Sequence, residues 1–321
     1  MNLFIKKLLK KLLKKFLKIK IKKRNNYLLK LAEYSKGISF LDIGAAGNIE
    51  PRWLELAMQL EYIGVEPDYR SYKKLSNKYK CKKYEIINKV LWSKEENIDF
   101  YLCNKPEVSS VFYPNKEFLN KFSDSQRFDI KEKQMFKAST LDIELGNRKI
   151  DFAKFDIQGA EYDALNGMQN HMSDCLGFEL EIEFSHIYNK QPLFGMVDQY
   201  LNKNGFDFID FTSLIRWERK QFNSYGQCIF GDGLWLRSPE YVYENLPEKY
   251  LKYITICSIY ERFDLAMTMV ELKNPKNKET IIYILERLKR YQINTRRVNN
   301  IFKYIVKFIN SKDTTTSYLI Y

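Results

Sequence analysis

Between residues 38 and 236 the chain alternates two kinds of pattern. Short apolar runs of strand length occur at 38–43 (ISFLDI), 61–66 (EYIGVE), 84–91 (YEIINKVL), 152–157 (FAKFDI), 178–184 (FELEIEF), 206–211 (FDFIDF) and 227–236 (QCIFGDGLWL). Stretches with helical spacing separate them, among them RWLELAMQL after Pro51 and LFGMVDQYLNKNG, which Gly205 ends. Proline suits the first turn of a helix, where its missing N–H is not needed, and glycine suits the position past the last turn. This alternation predicts an α/β domain, a mainly parallel sheet covered by helices on both faces. Seven strands suffice for a doubly wound, Rossmann-like fold. From about Pro239 the strand signals stop, and EKYLKYITICSIYERFDLAMTMVEL, KETIIYILERLKRYQ and NNIFKYIVKFI read as a helical appendage.

The first 24 residues, MNLFIKKLLKKLLKKFLKIKIKKR, follow a third pattern. Leu8-Leu9, Leu12-Leu13 and Phe16-Leu17 alternate with lysine pairs at a spacing of four, close to the helical period. A basic amphipathic helix of this kind suits an anionic membrane surface. The lysine pairs interrupt any signal-peptide core, and no small-residue cleavage site follows. The expected organisation is a leader over 1–35, a catalytic domain over 36–238 and the helical appendage over 239–321.

Charge changes meaning once it is located. The net charge is +13, but 11 of the 53 basic residues lie in the first 24 positions, leaving 42 against 40 acidic ones. The body is nearly neutral, so a nucleic-acid partner is not expected. Cys81, Cys103, Cys175, Cys228 and Cys257 are scattered, without the spacing of a zinc site or a disulfide scaffold, which fits a reducing cytosol. With no run of 18 apolar residues, a cytoplasmic protein is expected, peripheral on the inner face of the membrane through its leader.

The chemistry-bearing positions fall at strand ends. The first strand closes with LDIGAAGN, where Gly44 and Gly47 allow a tight turn and close approach of a ligand. The second ends in Glu66, followed by Pro67 and Asp68; a carboxylate there can accept both ribose hydroxyls of a nucleotide. A dinucleotide fingerprint requires G-x-G-x-x-G, but Ala46 and Ile49 occupy its second and third glycine positions. The loop instead resembles the D-x-G-x-x-G of methyltransferases, with Asp42 near the methionine end of the cofactor. Lys154 and Asp156 share one face of the fourth strand, and Glu179, Glu181 and Glu183 share one face of the fifth. Three acids in register are unexpected in a central parallel strand. Asp156, Glu183, His186 and Lys154 are the catalytic candidates, and a structural ion pair is the plainer role for Lys154 and Asp156.

In order along the chain, FLDIGAAGNIEPRW, YIGVEPD, NKVLWSKEENIDFY, SSVFYPN, STLDIE, DFAKFDIQGAEYDALNGM, EIEFSHIYNKQPLF, NGFDFIDF and GQCIFGDGLWLR resemble the FkbM-type branch of the class I S-adenosylmethionine-dependent methyltransferases. The match covers about residues 38–238. Gln158 stands where the family usually has an acid, and Phe155 where it usually has Ile. The resemblance implies a seven-stranded sheet with an antiparallel last strand, and methyl transfer from S-adenosylmethionine to oxygen. The implied acceptor is a sugar hydroxyl, on a surface glycan, its precursor or a glycosylated small molecule. Expected cofactor contacts are Asp42, Gly44, Ala45, Gly47, Glu66, Pro67, Asp68, Asn88, Val90 and Asp156. Expected substrate contacts are Ser109, Ser110, Tyr113, Tyr188 and Asp232. Trp217 could stack on a sugar, although core packing is its simpler role. Asp156, Glu183 and Asp232 could together offer oxygen ligands to a divalent ion, but no spacing rule supports this and no metal is predicted. Two other classes share the pattern: a nicotinamide-dependent oxidoreductase, and a non-catalytic binding module at a membrane surface. An amino-methylating nucleic-acid enzyme would carry N/D-P-P-Y/F where this chain has DIQG. The oligomeric state is not legible.

Overall fold

The computed structural model describes residues 24–75, 78–219 and 225–292. The leader pattern before residue 24 and the NNIFKYIVKFI pattern lie outside the described residues. The chain forms two compact units.

The first unit comprises Ile38–Glu50 and Leu60–Ser238. Its strands are β1 (Ile38–Ile43), β2 (Leu60–Val65), β3 (Lys83–Ile87), β4 (Asn97–Cys103), β5 (Ile130–Lys137), β6 (Phe152–Phe155), β7 (Gly177–Glu183), β8 (Asp207–Trp217) and β9 (Gln227–Leu236). Seven of them form one sheet in the order β3-β2-β1-β6-β7-β9-β8. β9 runs antiparallel to β7 and β8, and the pairs on the other side of β7 are parallel. The expected α/β fold with an antiparallel last strand is therefore present. β1 and β6 are buried along most of their length, as the near-continuous apolar sequence of central parallel strands requires. Leu41, Ile43, Phe155, Leu180 and Trp235 are core members.

Three elements differ from the sequence expectation. β3 ends at Ile87 rather than at residue 91, because the chain then leaves the sheet edge and Leu91 forms an isolated bridge with Ser139. β8 continues to Trp217, six residues beyond 211, paired with β9 through three register shifts. β4 and β5 form a separate antiparallel pair that the apolar runs did not announce. β5, IKEKQMFK, has no fully buried residue, so it lacks the apolar signal of a core strand.

One polar row crosses this sheet. Asp42 on β1 is the register partner of Lys154 on β6, and Lys154 is the partner of Glu179 on β7. Neighbours in register on parallel strands share a face, so the lysine lies between two carboxylates.

The second unit is helical, built from residues 24–37, Pro51–Gln59 and 239–292 among those described. Tyr250–Ile259 is its central helix, with every residue from Tyr253 to Ile259 buried. The helix read after Pro51 proves short, Pro51–Leu54 followed by a 3-10 turn at Ala57–Gln59, and it belongs here rather than to the sheet unit. The reason is Trp53, which is fully buried and donates its indole N–H to the Tyr260 hydroxyl at 3.0 Å. The Arg52 guanidinium lies 4.9 Å from the centre of the same tyrosine ring. No helix among the described residues is long and apolar enough to cross a membrane.

Candidate active site

The carboxyl edge of the sheet opens into a cleft of about 300 Å³, at the lower end of the range for small-molecule sites. At one end the loop after β1 meets the ends of β2 and β6. Gly44 has φ +83°, and a Cβ there would come within 1.8 Å of the Asp156 carbonyl oxygen. Only glycine lets the β1 loop pass so close to the end of β6. Gly47 also lines the cleft, and a Cβ built on it meets no atom within 4 Å. This loop is therefore tight against the protein at Gly44 and open at Gly47.

Glu66, Pro67 and Asp68 line the same end. Glu66 is buried, and its Oε1 accepts the Asp68 N–H at 2.8 Å. Burial pushes the Glu66 carboxyl up to about 8, although the Asp68 N–H works in the opposite direction. The Asp68 carboxylate is engaged by Arg70, through its backbone N–H and its guanidinium. Asn88 donates its amide to the carbonyls of Glu66 at 2.7 Å and Pro67 at 3.0 Å. It therefore braces the loop instead of lining the cleft. Val90, Leu91 and Phe100 supply an apolar wall. A carboxyl, a brace and an apolar wall at the end of β2 fit a ribose and a flat base.

Asp42 and Ala45 do not line the cleft; Ala46 does. Asp42 is buried under Tyr62, whose hydroxyl donates to Oδ2 at 2.8 Å. Gly64 makes this possible, since a Cβ there would crowd Tyr62 Cε1 at 3.0 Å. Burial raises the Asp42 pKa, while Lys154 and the Tyr62 hydroxyl oppose the rise.

The floor of the cleft holds Asp156, Gln158 and Glu181. Lys154 Nζ is 3.3 Å from Asp156 Oδ2, and Gln158 Nε2 is 3.0 Å from Asp156 Oδ1. The same Nε2 donates to Glu181 at 2.6 Å, and Gln158 Oε1 lies 2.9 Å from the Tyr188 hydroxyl. Gln158 has φ +58°, an uncommon backbone conformation for a non-glycine residue that recurs at functional sites. Its amide stands between two carboxyls, where an acid would have added a third. Burial, then the neighbouring carboxyls of Asp156 and Glu183, raise the Glu181 pKa well above the usual carboxylate range. Burial alone would lower the Lys154 pKa, but Asp156, Asp42, Asp232 and Glu179 outweigh it and hold the ammonium charged.

Several expected site residues stand elsewhere. Glu183 is buried and does not line the cleft, and its Oε1 has no hydrogen-bond partner among the described residues. Burial, then Glu161, raise its pKa well above the carboxylate range. His186 is exposed in the loop after β7 and does not line the cleft. Asp232 receives the Ser213 hydroxyl at 2.5 Å, and burial pushes its carboxyl up to about 6. Among the described residues no group of His, Cys, Asp and Glu is placed to hold a metal, so Asp156, Glu183 and Asp232 are not a ligand set.

On the substrate side, Ser109 lines the cleft while accepting the Cys103 N–H. Ser110, Tyr113 and Tyr188 do not line it. Ser110 instead donates to the Gln158 carbonyl at 2.7 Å, and Tyr188 holds the Gln158 amide. Glu161, Glu181 and Gln158 were given no site role from sequence, although Glu181 was noted as one of three acids on a strand face and Gln158 as standing where the family usually has an acid. Glu161 is buried and accepts the Ile157 N–H at 2.7 Å, which fixes the turn after Asp156; burial pushes its carboxyl up to about 8. The available signal was acids where a buried turn should be apolar.

Residues 42–208 match the methyltransferase FkbM domain. The chain belongs to the FkbM methyltransferase family. No curated protein matches it. Solved structures similar to this FkbM chain include the magnesium protoporphyrin IX methyltransferase of Synechocystis PCC 6803 with S-adenosylmethionine bound, at 10% identity and a TM-score of 0.30, covering 70% of this chain and 84% of that one. Another is a Streptococcus pneumoniae protein described as a candidate tRNA (m1A22) methyltransferase, at 12% identity and a TM-score of 0.35, covering 81% and 96%. A candidate RNA methyltransferase of Pyrococcus horikoshii shares 13% identity at a TM-score of 0.27, covering 66% and 81%. These likenesses carry no argument about substrate.

Proposed function

We propose that this FkbM-family protein is an O-methyltransferase that uses S-adenosylmethionine and acts on a sugar hydroxyl of a surface glycan, its precursor or a glycosylated small molecule. The observation that carries the reading is a single cleft with Glu66 at the end of β2 and Asp156 at the end of β6. The residues present fit the cofactor: the open face at Gly47, the Glu66 carboxyl for ribose hydroxyls, and Val90, Leu91 and Phe100 for the base. When bound, S-adenosylmethionine supplies an electrophilic methyl group on a sulfonium.

The chain's own residues then have two tasks. The first is positioning, because a displacement needs its reacting atoms held in line and in contact. The second is proton removal, because a sugar hydroxyl is a weak nucleophile. Asp156 is the acid on the floor suited to accept that proton. Lys154 and Gln158 hold its two oxygens, and each oxygen keeps a lone pair for the acceptor hydroxyl. The sugar class comes from the family resemblance, and the leader 1–24 adds docking on an anionic membrane to the same proposal.

Calorimetry with S-adenosylhomocysteine and with NAD, followed by turnover on nucleotide sugars, lipid-linked glycans and free oligosaccharides, tests this. Binding of S-adenosylhomocysteine with methylation of a sugar oxygen is the expected result. Binding without turnover on any of these acceptors would favour a non-catalytic module, and NAD binding alone would overturn the methyltransferase reading.

A further inference from the structure

The part of the cleft formed beyond β7 has a chemistry of its own. Trp217 at the end of β8, Phe230 on β9 and Phe128 face it. The Trp217 ring centre is 6.0 Å from that of Phe230 and 6.1 Å from that of Phe128. Arg127 also lines this part, with its guanidinium carbon 4.9 Å from the Trp217 ring centre and 5.0 Å from that of Phe128. Aromatic faces hold a guanidinium by cation–π attraction while its N–H edges stay available. The Asp124 ion pair of Arg127 is 3.6 Å long, beyond hydrogen-bond reach, and Arg127 Nε is buried with no partner among the described residues. A buried unpaired donor is costly until an acceptor reaches it. Lys105, whose N–H bonds the Arg127 carbonyl at 3.1 Å, brings a second cation to the cleft, which Glu107 also lines.

We propose that Arg127, with Lys105, binds an anionic group on the acceptor, a carboxylate or a phosphate carried by a sugar whose ring packs on Trp217. This rests on the sugar-hydroxyl reading and narrows it to acidic sugars. The planar guanidinium suits both anions, because each can take two parallel N–H bonds. Arg127 is a specificity residue here and takes no part in methyl transfer. Its guanidinium lies over the rings of Trp217 and Phe128, whereas Glu66 stands at the end of β2.

The test uses the full chain saturated with S-adenosylhomocysteine and titrated, by ligand-observed NMR, with glucose, glucuronic acid and glucose 1-phosphate. At least one acid should bind roughly tenfold or more tightly than glucose, the range of a charge-assisted bond. The acid that is favoured identifies the anion. Arg127→Met keeps the stem but removes the charge; it should abolish the preference and leave S-adenosylhomocysteine affinity unchanged. Lys105→Ala, at an exposed position, should reduce the preference without affecting folding. Equal binding of glucose and both acids, no measurable binding of either acid, or a preference that survives Arg127→Met would each overturn the inference. A tenfold loss of S-adenosylhomocysteine affinity in Arg127→Met would place the guanidinium on the methionine carboxylate and overturn it as well. Failure of the unmodified protein to bind S-adenosylhomocysteine would overturn the underlying reading instead.

Discussion

At the residue scale, Asp156 is held from two sides, and this separates its structural role from its chemical one. If Lys154 had Asp156 as its sole partner, removing that charge would leave a buried ammonium unpaired, at a cost of about 3–5 kcal/mol. Here Asp42, Glu179 and Asp232 also act on Lys154. Asp156→Asn should therefore lower the melting temperature by only a few degrees while cutting turnover by about 10²-fold, the scale of a lost general base. Single-turnover rates at saturating cofactor, beside a melting curve, check this; normal turnover would remove Asp156 from the chemistry. Glu66 makes a different prediction. With its carboxyl pushed up to about 8, most of it carries a proton at pH 7. Accepting two ribose hydroxyls requires the carboxylate, so ligand binding must expel that proton. S-adenosylhomocysteine affinity should thus rise with pH up to about 8 and then level off. Calorimetry at pH 7 in buffers of different ionisation enthalpy should show release of about one proton, absent in Glu66→Gln. Glu66 and Asp156 were legible because acids at the ends of apolar strands stand out. Arg127 was not, because Trp217, whose ring it covers, is distant in sequence.

At the element scale, the strands of the seven-stranded sheet could be read from apolar runs, and the separate β4–β5 pair could not. β1, β2, β6, β7 and β9 lie within a residue or two of their expected limits. β4 and β5 escaped because they form an exposed pair whose polar residues dilute any run. The segment after Pro51 was identified as helical, but periodicity records which face is buried and not which unit buries it. Trp53 decides the matter. Trp53→Ala should destabilise the helical unit by about 3–5 kcal/mol, as expected for deleting a buried aromatic. Trp53→Phe should cost less, since it mainly removes the bond to the Tyr260 hydroxyl. Chemical denaturation of both variants gives the comparison, and equal stability of Trp53→Ala and the parent would refute this packing.

At the scale of the whole molecule, buried acids set how stability responds to pH. The Glu66 and Glu161 carboxyls are pushed up to about 8, and those of Asp163 and Asp232 to about 6, in each case by burial first. Each keeps its proton in the fold at a pH where the unfolded chain has lost it. The unfolded state then binds fewer protons, so stability falls as pH rises from about 4.5 to about 8. Lys154 contributes a constant amount over this window, since its pKa is raised from a value already above it. The ligand-free protein should melt at a lower temperature at pH 8.5 than at pH 5.5, and the opposite order would show that these acids are ionised in the fold. The leader belongs to this scale too. We propose that it binds anionic membranes, so deletion of residues 1–24 should abolish sedimentation with anionic vesicles and spare turnover on a soluble acceptor. Each lysine near such a surface contributes about 1 kcal/mol, and added salt should reverse the binding.

The helical unit is assembled from segments at both ends of the chain and from Pro51–Gln59 between β1 and β2. Trp53 and Tyr260, which bond within it, are 207 residues apart. A ribosome adding about 5–20 residues per second needs roughly 10–40 s to cover that distance. For that interval the indole lacks its bond to the Tyr260 hydroxyl, and residues 38–238 emerge before the unit that buries it is complete. The packing around Trp53 is therefore completed only when residues 239–292 have been made, after the whole of the sheet unit.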